Sequence, residues 1–176
     1  PLQLTELRRQ RNGLYVGHFR WPDSVVFGAS AVETPDGTAV DSRFGRLWEF
    51  LAHDSSGRPL ADALFQQYED RGIRNASGAL ETANEATRLY PDHPRGWRAR
   101  FEQEVAVAPR GLVRDSIRAF HAGQMRLLHH VLAERSTLSV AEQFEMTFYA
   151  EAVGADSVKN AWMRRLFTEY PGHPFA

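Results

Sequence analysis

The sequence predicts an α+β protein, predominantly helical, with a small N-terminal antiparallel sheet of two or three strands packed against a bundle of about five to six helices. Three observations carry this expectation. Apolar residues run in short blocks between turn signals in the first forty or so positions, then recur every three to four residues through most of the rest. Hydrophobic residues make up 43% of the 176 positions and charged residues 24%, enough to bury a core. A polar break at Asp54-Ser55-Ser56-Gly57-Arg58-Pro59 separates a strand-rich segment with one helix, 1–56, from a helical body, 57–176. The length suits one compact domain.

Leu2 to Gln10 reads as a short helix or arm, and Leu14 to Phe19 as a strand. Trp21-Pro22-Asp23-Ser24 forms a turn signal before a second strand, Val25 to Val32. Thr34-Pro35-Asp36-Gly37 is a strong turn ahead of Thr38-Ala39-Val40. Asp41-Ser42 stands where it would cap a helix from Arg43 to His53, with Phe44, Leu47, Trp48 and Leu51 on one side.

Helical periods dominate beyond the break. Leu60 to Tyr68 makes a short helix terminated by Gly72. Ser77 to Tyr90 makes the next, ended by Pro91, and Pro94 to Val107 a third. Ser139 to Val153 and Ser157 to Tyr170 close the chain. Between them lies the longest helical pattern, Arg110 to Arg135. There Val113, Ile117, Phe120, Leu127 and Val131, widened by Leu128 and Leu132, predict one face pressed into a core. Gly123 interrupts it where a close helix neighbour would find no side chain.

Composition narrows the function classes. The absence of cysteine removes disulfide scaffolds, thiol nucleophiles and cysteine metal sites together. A net charge of −1 without long like-charged runs argues against general nucleic-acid binding. Lys159 is the only lysine, so nearly all basic character is arginine. No segment approaches eighteen consecutive apolar residues and no signal-peptide core stands at the start, which predicts a cytoplasmic protein with no membrane partner. Neither phosphate-binding glycine motif nor a Gly-x-Ser-x-Gly elbow is present, and no cofactor is indicated.

Ala79, Ala86, Pro91 and Trp97 fall at offsets similar to those of tetratricopeptide motifs, where small residues let two helices approach and proline ends the second. Phe101 stands where such a repeat usually has glycine, and no second copy follows at the expected period. The segment is therefore read as an ordinary helical hairpin.

Four residues are candidates for catalysis. His130 and Glu134 lie four apart on one helix face, with Glu145 (three residues after Glu142) on the following helix. Such pairs resemble the minimum of a bundle metal site, though the Glu-x-x-His signature is missing. His121, beside the apolar stripe, would serve as a general base if a carboxylate such as Asp115 or Glu145 oriented it. A second group, Arg9, Arg11, Tyr15, Phe19 and Trp21, is the one concentration of arginine and aromatic residues.

The leading expectation is a non-catalytic module acting through a protein partner or through self-association. Eleven phenylalanines and four tryptophans among many arginines match what interfaces enrich. The alternative is a small-molecule-binding protein or enzyme with a His/Glu pocket between helices. Nucleic-acid binding through the N-terminal arginine and aromatic residues ranks last.

Overall fold

The computed structural model describes residues 5–18, 20, 22–42, 47–74 and 76–174. It shows the expected class: six helices among the described residues, preceded by short antiparallel strand pairs. None of these helices is long and apolar enough to cross a membrane.

Strands β1 (Arg8–Arg9) and β2 (Tyr15–Val16) form a first pair, so Arg8–Arg9 is strand within the stretch read as a helix or arm, of which Leu2 to Leu4 lie outside the described residues. The hairpin turn at Asn12-Gly13, in which Asn12 Oδ1 accepts from the Leu14 amide at 3.0 Å, turns the chain back before a helix can nucleate. β3 (Phe27–Ser30) pairs with β6 (Trp48–Leu51), and β4 (Val32–Glu33) with β5 (Val40–Asp41). The β4–β5 turn is the predicted one. Asp36 accepts from the Thr38 hydroxyl at 2.8 Å and from its amide at 3.2 Å. Hydrogen bonds from Thr34 and Thr38 hold the Asp36 pKa down at about 2.

The helix expected over 43–53 is corrected. Trp48–Leu51 forms a four-residue antiparallel ladder with Phe27–Ser30. A short apolar run does not distinguish helix from strand by period, and the waiting β3 edge decides it. Phe44 lies outside the described residues. Val32 lies opposite Asp41 while Ser30 lies opposite Trp48, so the second strand carries five more residues than the first between the two pairings. The Leu47 amide donates to the Ser42 carbonyl at 2.7 Å.

The helices are α1 (Ala61–Arg74), α2 (Ala76–Leu89), α3 (Pro94–Val107), α4 (Leu112–Ala133), α5 (Val140–Ala152) and α6 (Asp156–Glu169). α1 runs through Gly72 rather than stopping there. α3 begins with Pro94 at its first turn, where a missing N–H costs nothing. α5 opens on a complete capping box between Ser139 and Glu142. Gly111, at φ 91°, makes the left-handed entry to α4 that a side chain would strain. α2 and α3 form the expected hairpin: Ala79, Ala83 and Ala86 are buried, and Gly96 brings α3 close to the Ala86–Thr87 backbone.

Two buried clusters result. Leu64, Phe65 and Ala86 join α1 to α2. The larger, including Phe101, Met125, Leu132, Met146, Tyr149 and Trp162, fills the space among α3 to α6. The strand region is tied on by charge. Glu49 of β6 accepts from Arg71 Nη2 at 2.6 Å, Gln67 Nε2 at 2.7 Å and Arg74 Nη2 at 3.1 Å, all on α1. Burial opposes ionisation of Glu49, but these bonds outweigh it and hold its pKa below the usual range.

Candidate functional site

α4 is the element on which the candidate residues converge, and it is oriented differently from the sequence expectation. Its buried residues are His121, Met125, Leu128 and Leu132. The stripe expected to face the core points outward: Val113 is 48% exposed, Phe120 45%, Leu127 62% and Val131 48%. Ile117 alone of that stripe is half-buried, packed against the main cluster. The helix carries two apolar stripes roughly a quarter-turn apart, and periodicity reveals both without saying which one the chain covers. A Cβ added to Gly123 would meet nothing within 4 Å, so the neighbour expected there is not found among the described residues.

His121 fixes this orientation. Its side chain is 0% exposed, with Nε2 3.0 Å from Glu104 Oε2 on α3 and Nδ1 2.6 Å from the Tyr149 hydroxyl on α5. A carboxylate only accepts, so a neutral imidazole carries its proton on Nε2 and takes the Tyr149 proton at Nδ1. Burial pushes the His121 pKa below its ordinary value, with the Glu104 carboxylate pulling the other way. Burial raises the Tyr149 pKa and keeps the phenol neutral. Glu104 also accepts from Arg100 Nε at 2.6 Å. Desolvation works against its charge, yet the Arg100 and His121 bonds together hold its pKa below the ordinary range.

Aromatic rings enclose this group. The imidazole meets Phe101 at 5.1 Å, Phe120 at 5.2 Å, Tyr149 at 5.9 Å and Trp97 at 6.1 Å between centroids, all edge to face. The Arg100 guanidinium lies 5.6 Å from both the Trp97 and Phe120 rings. At its far end α4 is held by Arg165 of α6, which donates to the Arg135 carbonyl at 2.8 Å and the Leu132 carbonyl at 3.4 Å. Leu132 lies in the last turn of α4, whose carbonyls lack regular intrahelical partners, and Arg135 lies just beyond it.

The four candidate catalytic residues do not form one group. Both His121 nitrogens are engaged, by Glu104 and Tyr149 rather than by Asp115 or Glu145. His130 and Glu134 stand 3.7 Å apart on the surface, with side chains 79% and 73% exposed. Glu145 is held by Arg98, at 2.7 Å from its Nε. Among the described residues, no group of three or more His, Asp or Glu side chains is placed to hold a metal ion. Glu104 was missed in the sequence. It sits seventeen residues before His121, and only the packing of α3 on α4 joins them.

Of the arginine and aromatic group, Arg9 stands opposite Tyr15 across the β1–β2 pair, and both are exposed, as is Arg11 in the connecting turn. Phe19 and Trp21 lie outside the described residues. A second apolar surface is a shallow groove of about 280 Å³ between α5 and α6, lined by Phe144, Phe148, Met163 and Phe167 with Glu151 and Lys159 at its margins. Comparison of the chain with protein-family models, with curated proteins and with solved structures gave no match.

Proposed function

We propose that the protein is a non-catalytic interaction module whose association surface is the outward face of α4. The observation that carries this reading is the exposure of Val113, Phe120, Leu127 and Val131 along one line of a helix whose packed line lies roughly a quarter-turn away. A helix that merely roofs a core keeps polar residues outward. A contiguous apolar patch of this kind marks a contact surface.

The polar centre of the helix supports the same reading. With both nitrogens bonded and its side chain sealed from solvent, His121 anchors α4 to α3 and α5. The anchor turns the second apolar stripe outward and holds it there, as a docking surface requires. The stock of phenylalanine, tryptophan and arginine fits the composition of interface cores.

The test is a photo-crosslinking amino acid placed at Leu127, with Arg118 on another face of α4 as control, in the cells from which the protein comes. The reading expects a discrete protein adduct from the first position and none from the second. Equal labelling from both positions, or no adduct from either, counts against it.

A further inference from the structure

Resting on the reading of α4 as an association face, we infer that its occupant is a second copy of the same helix, paired antiparallel about a two-fold axis near Ala122. Val113, Ile117, Phe120, Gln124, Leu127 and Val131 follow one another at spacings of four, three, four, three and four. That is the heptad seam by which two helices pack knobs into holes. It spans about 27 Å of helix. Gln124 is the one polar member, and a polar residue at a single seam position sacrifices stability to fix register.

The order of residues along the seam selects the copy. A two-fold that sets 113 against 131 and 117 against 127 places valine on valine and isoleucine on leucine. It sets Phe120 against Gln124. The same patch then serves both partners, as a two-fold interface demands. Charge at the two ends agrees. Arg110 precedes α4, set off from it by Gly111, and Glu134 is the residue that ends it, so the two charges mark opposite ends of the helix rather than steps of the seam. The antiparallel arrangement puts Arg110 of each copy at the Glu134 end of the other. The parallel one would set arginine against arginine and glutamate against glutamate, with the helix dipoles aligned unfavourably.

The open flank of the seam carries Ser116, Gly123 and His130, seven residues apart. Gly123 falls beside the axis, where no described residue stands within 4 Å of its missing side chain, and two such glycines let the backbones approach. One helix pair buries an area at the low end of specific interfaces. The dimer should therefore be reversible, with a dissociation constant of roughly 1–100 µM.

The chain has no cysteine, so introduced ones report without background. Sedimentation velocity across that concentration range should show wild-type protein passing from monomer to dimer. Leu127→Arg, at an exposed position, should weaken the dimer roughly 100-fold without lowering the melting temperature, and Val131→Glu should do the same. A chain carrying both Ser116→Cys and His130→Cys should be joined into dimers by a short bismaleimide. Each single variant should stay monomeric, because only the antiparallel register brings 116 beside 130. Cross-linking of the single variants would overturn the arrangement in favour of a parallel one. A dimer insensitive to both seam substitutions would place self-association elsewhere and overturn the assignment. A monomer at every concentration would overturn it too. Should the Leu127 photo-crosslink then still capture a different protein in cells, the association face stands and only the second copy falls.

Discussion

Replacing Tyr149 with phenylalanine removes one oxygen atom and leaves the fold's most enclosed histidine with an unanswered nitrogen. The hydroxyl lies 2.6 Å from His121 Nδ1, and the imidazole has no access to water. Losing a buried partner costs the desolvation of the group left behind, about 1–3 kcal/mol. His121→Leu is the instructive contrast. Glu104 keeps its bond from Arg100, and the Tyr149 hydroxyl, released from Nδ1, turns its one proton to the backbone carbonyl of residue 121, 3.2 Å away. Both former partners remain satisfied, so the leucine should cost no more than about 1–2 kcal/mol at pH 7.

The two variants part further with pH. A histidine whose folded pKa lies below its unfolded value of about 6.5 takes up a proton on unfolding. Its stabilising contribution is complete above that value and drains away as pH falls toward the folded pKa. Burial lowers the pKa of two histidines, His121 and His93, the latter with Nδ1 buried and without a hydrogen-bond partner. Urea unfolding of the wild type should therefore lose stability as pH falls from 7 to 5, with a slope of at most two protons from these histidines, and His121→Leu should lose less, with at most one. The difference amounts to about 1.4 kcal/mol per pH unit at most. Parallel pH profiles for the two proteins, or a Tyr149→Phe variant as stable as wild type, would refute the description of this centre as a neutral, fully engaged imidazole.

Other expectations follow from single contacts. Glu49→Ala removes the carboxylate that Arg71 and Arg74 share, leaving Arg74 with Asp70 and Arg71 with Thr82 and the Gly78 carbonyl, their side chains only partly exposed. It should cost about 2–3 kcal/mol in urea unfolding and speed hydrogen exchange in Trp48–Leu51 first. Ser139→Ala removes half of the capping box of α5, for a loss of about 1 kcal/mol read as a lower melting temperature. Gly123→Ala meets no obstacle among the described residues, so in dilute, monomeric solution it should stabilise by about 0.5–1 kcal/mol. A decrease would show that the Gly123 face of α4 is crowded even in the isolated chain.

Much of the helical body was legible because its boundaries are local chemistry. Pro94 starts α3, Ser139 and Glu142 cap α5, and Gly154 follows α5. Each signal acts within a few residues of where it is read. The strand region was less legible because its pairings are long-range. Trp48–Leu51 is strand only because Phe27–Ser30 lies beside it. The face of α4 was misread for a related reason. Leu128 and Leu132 were read correctly as core, but Val113, Phe120, Leu127 and Val131 have the same period and similar hydropathy. The choice between the stripes is made by His121 finding Glu104 and Tyr149 on two other helices. No spacing in the sequence contains that contact. The candidate site was half visible: His121 stood out as a histidine beside an apolar stripe, whereas Glu104 looked like an ordinary partner of Arg100 four residues earlier.

The proposed association covers the outward stripe of α4. Carbene footprinting of the unmodified chain tests it most directly, comparing about 1 µM with about 200 µM protein so that mass action alone changes the state. Labelling of Phe120, Leu127 and Val131 should fall several-fold at the higher concentration, while Ile73, the most exposed large apolar residue described, on α1, stays constant. Unchanged labelling along α4 would contradict self-association through this face, and protection confined to the α5–α6 groove would move the interface there.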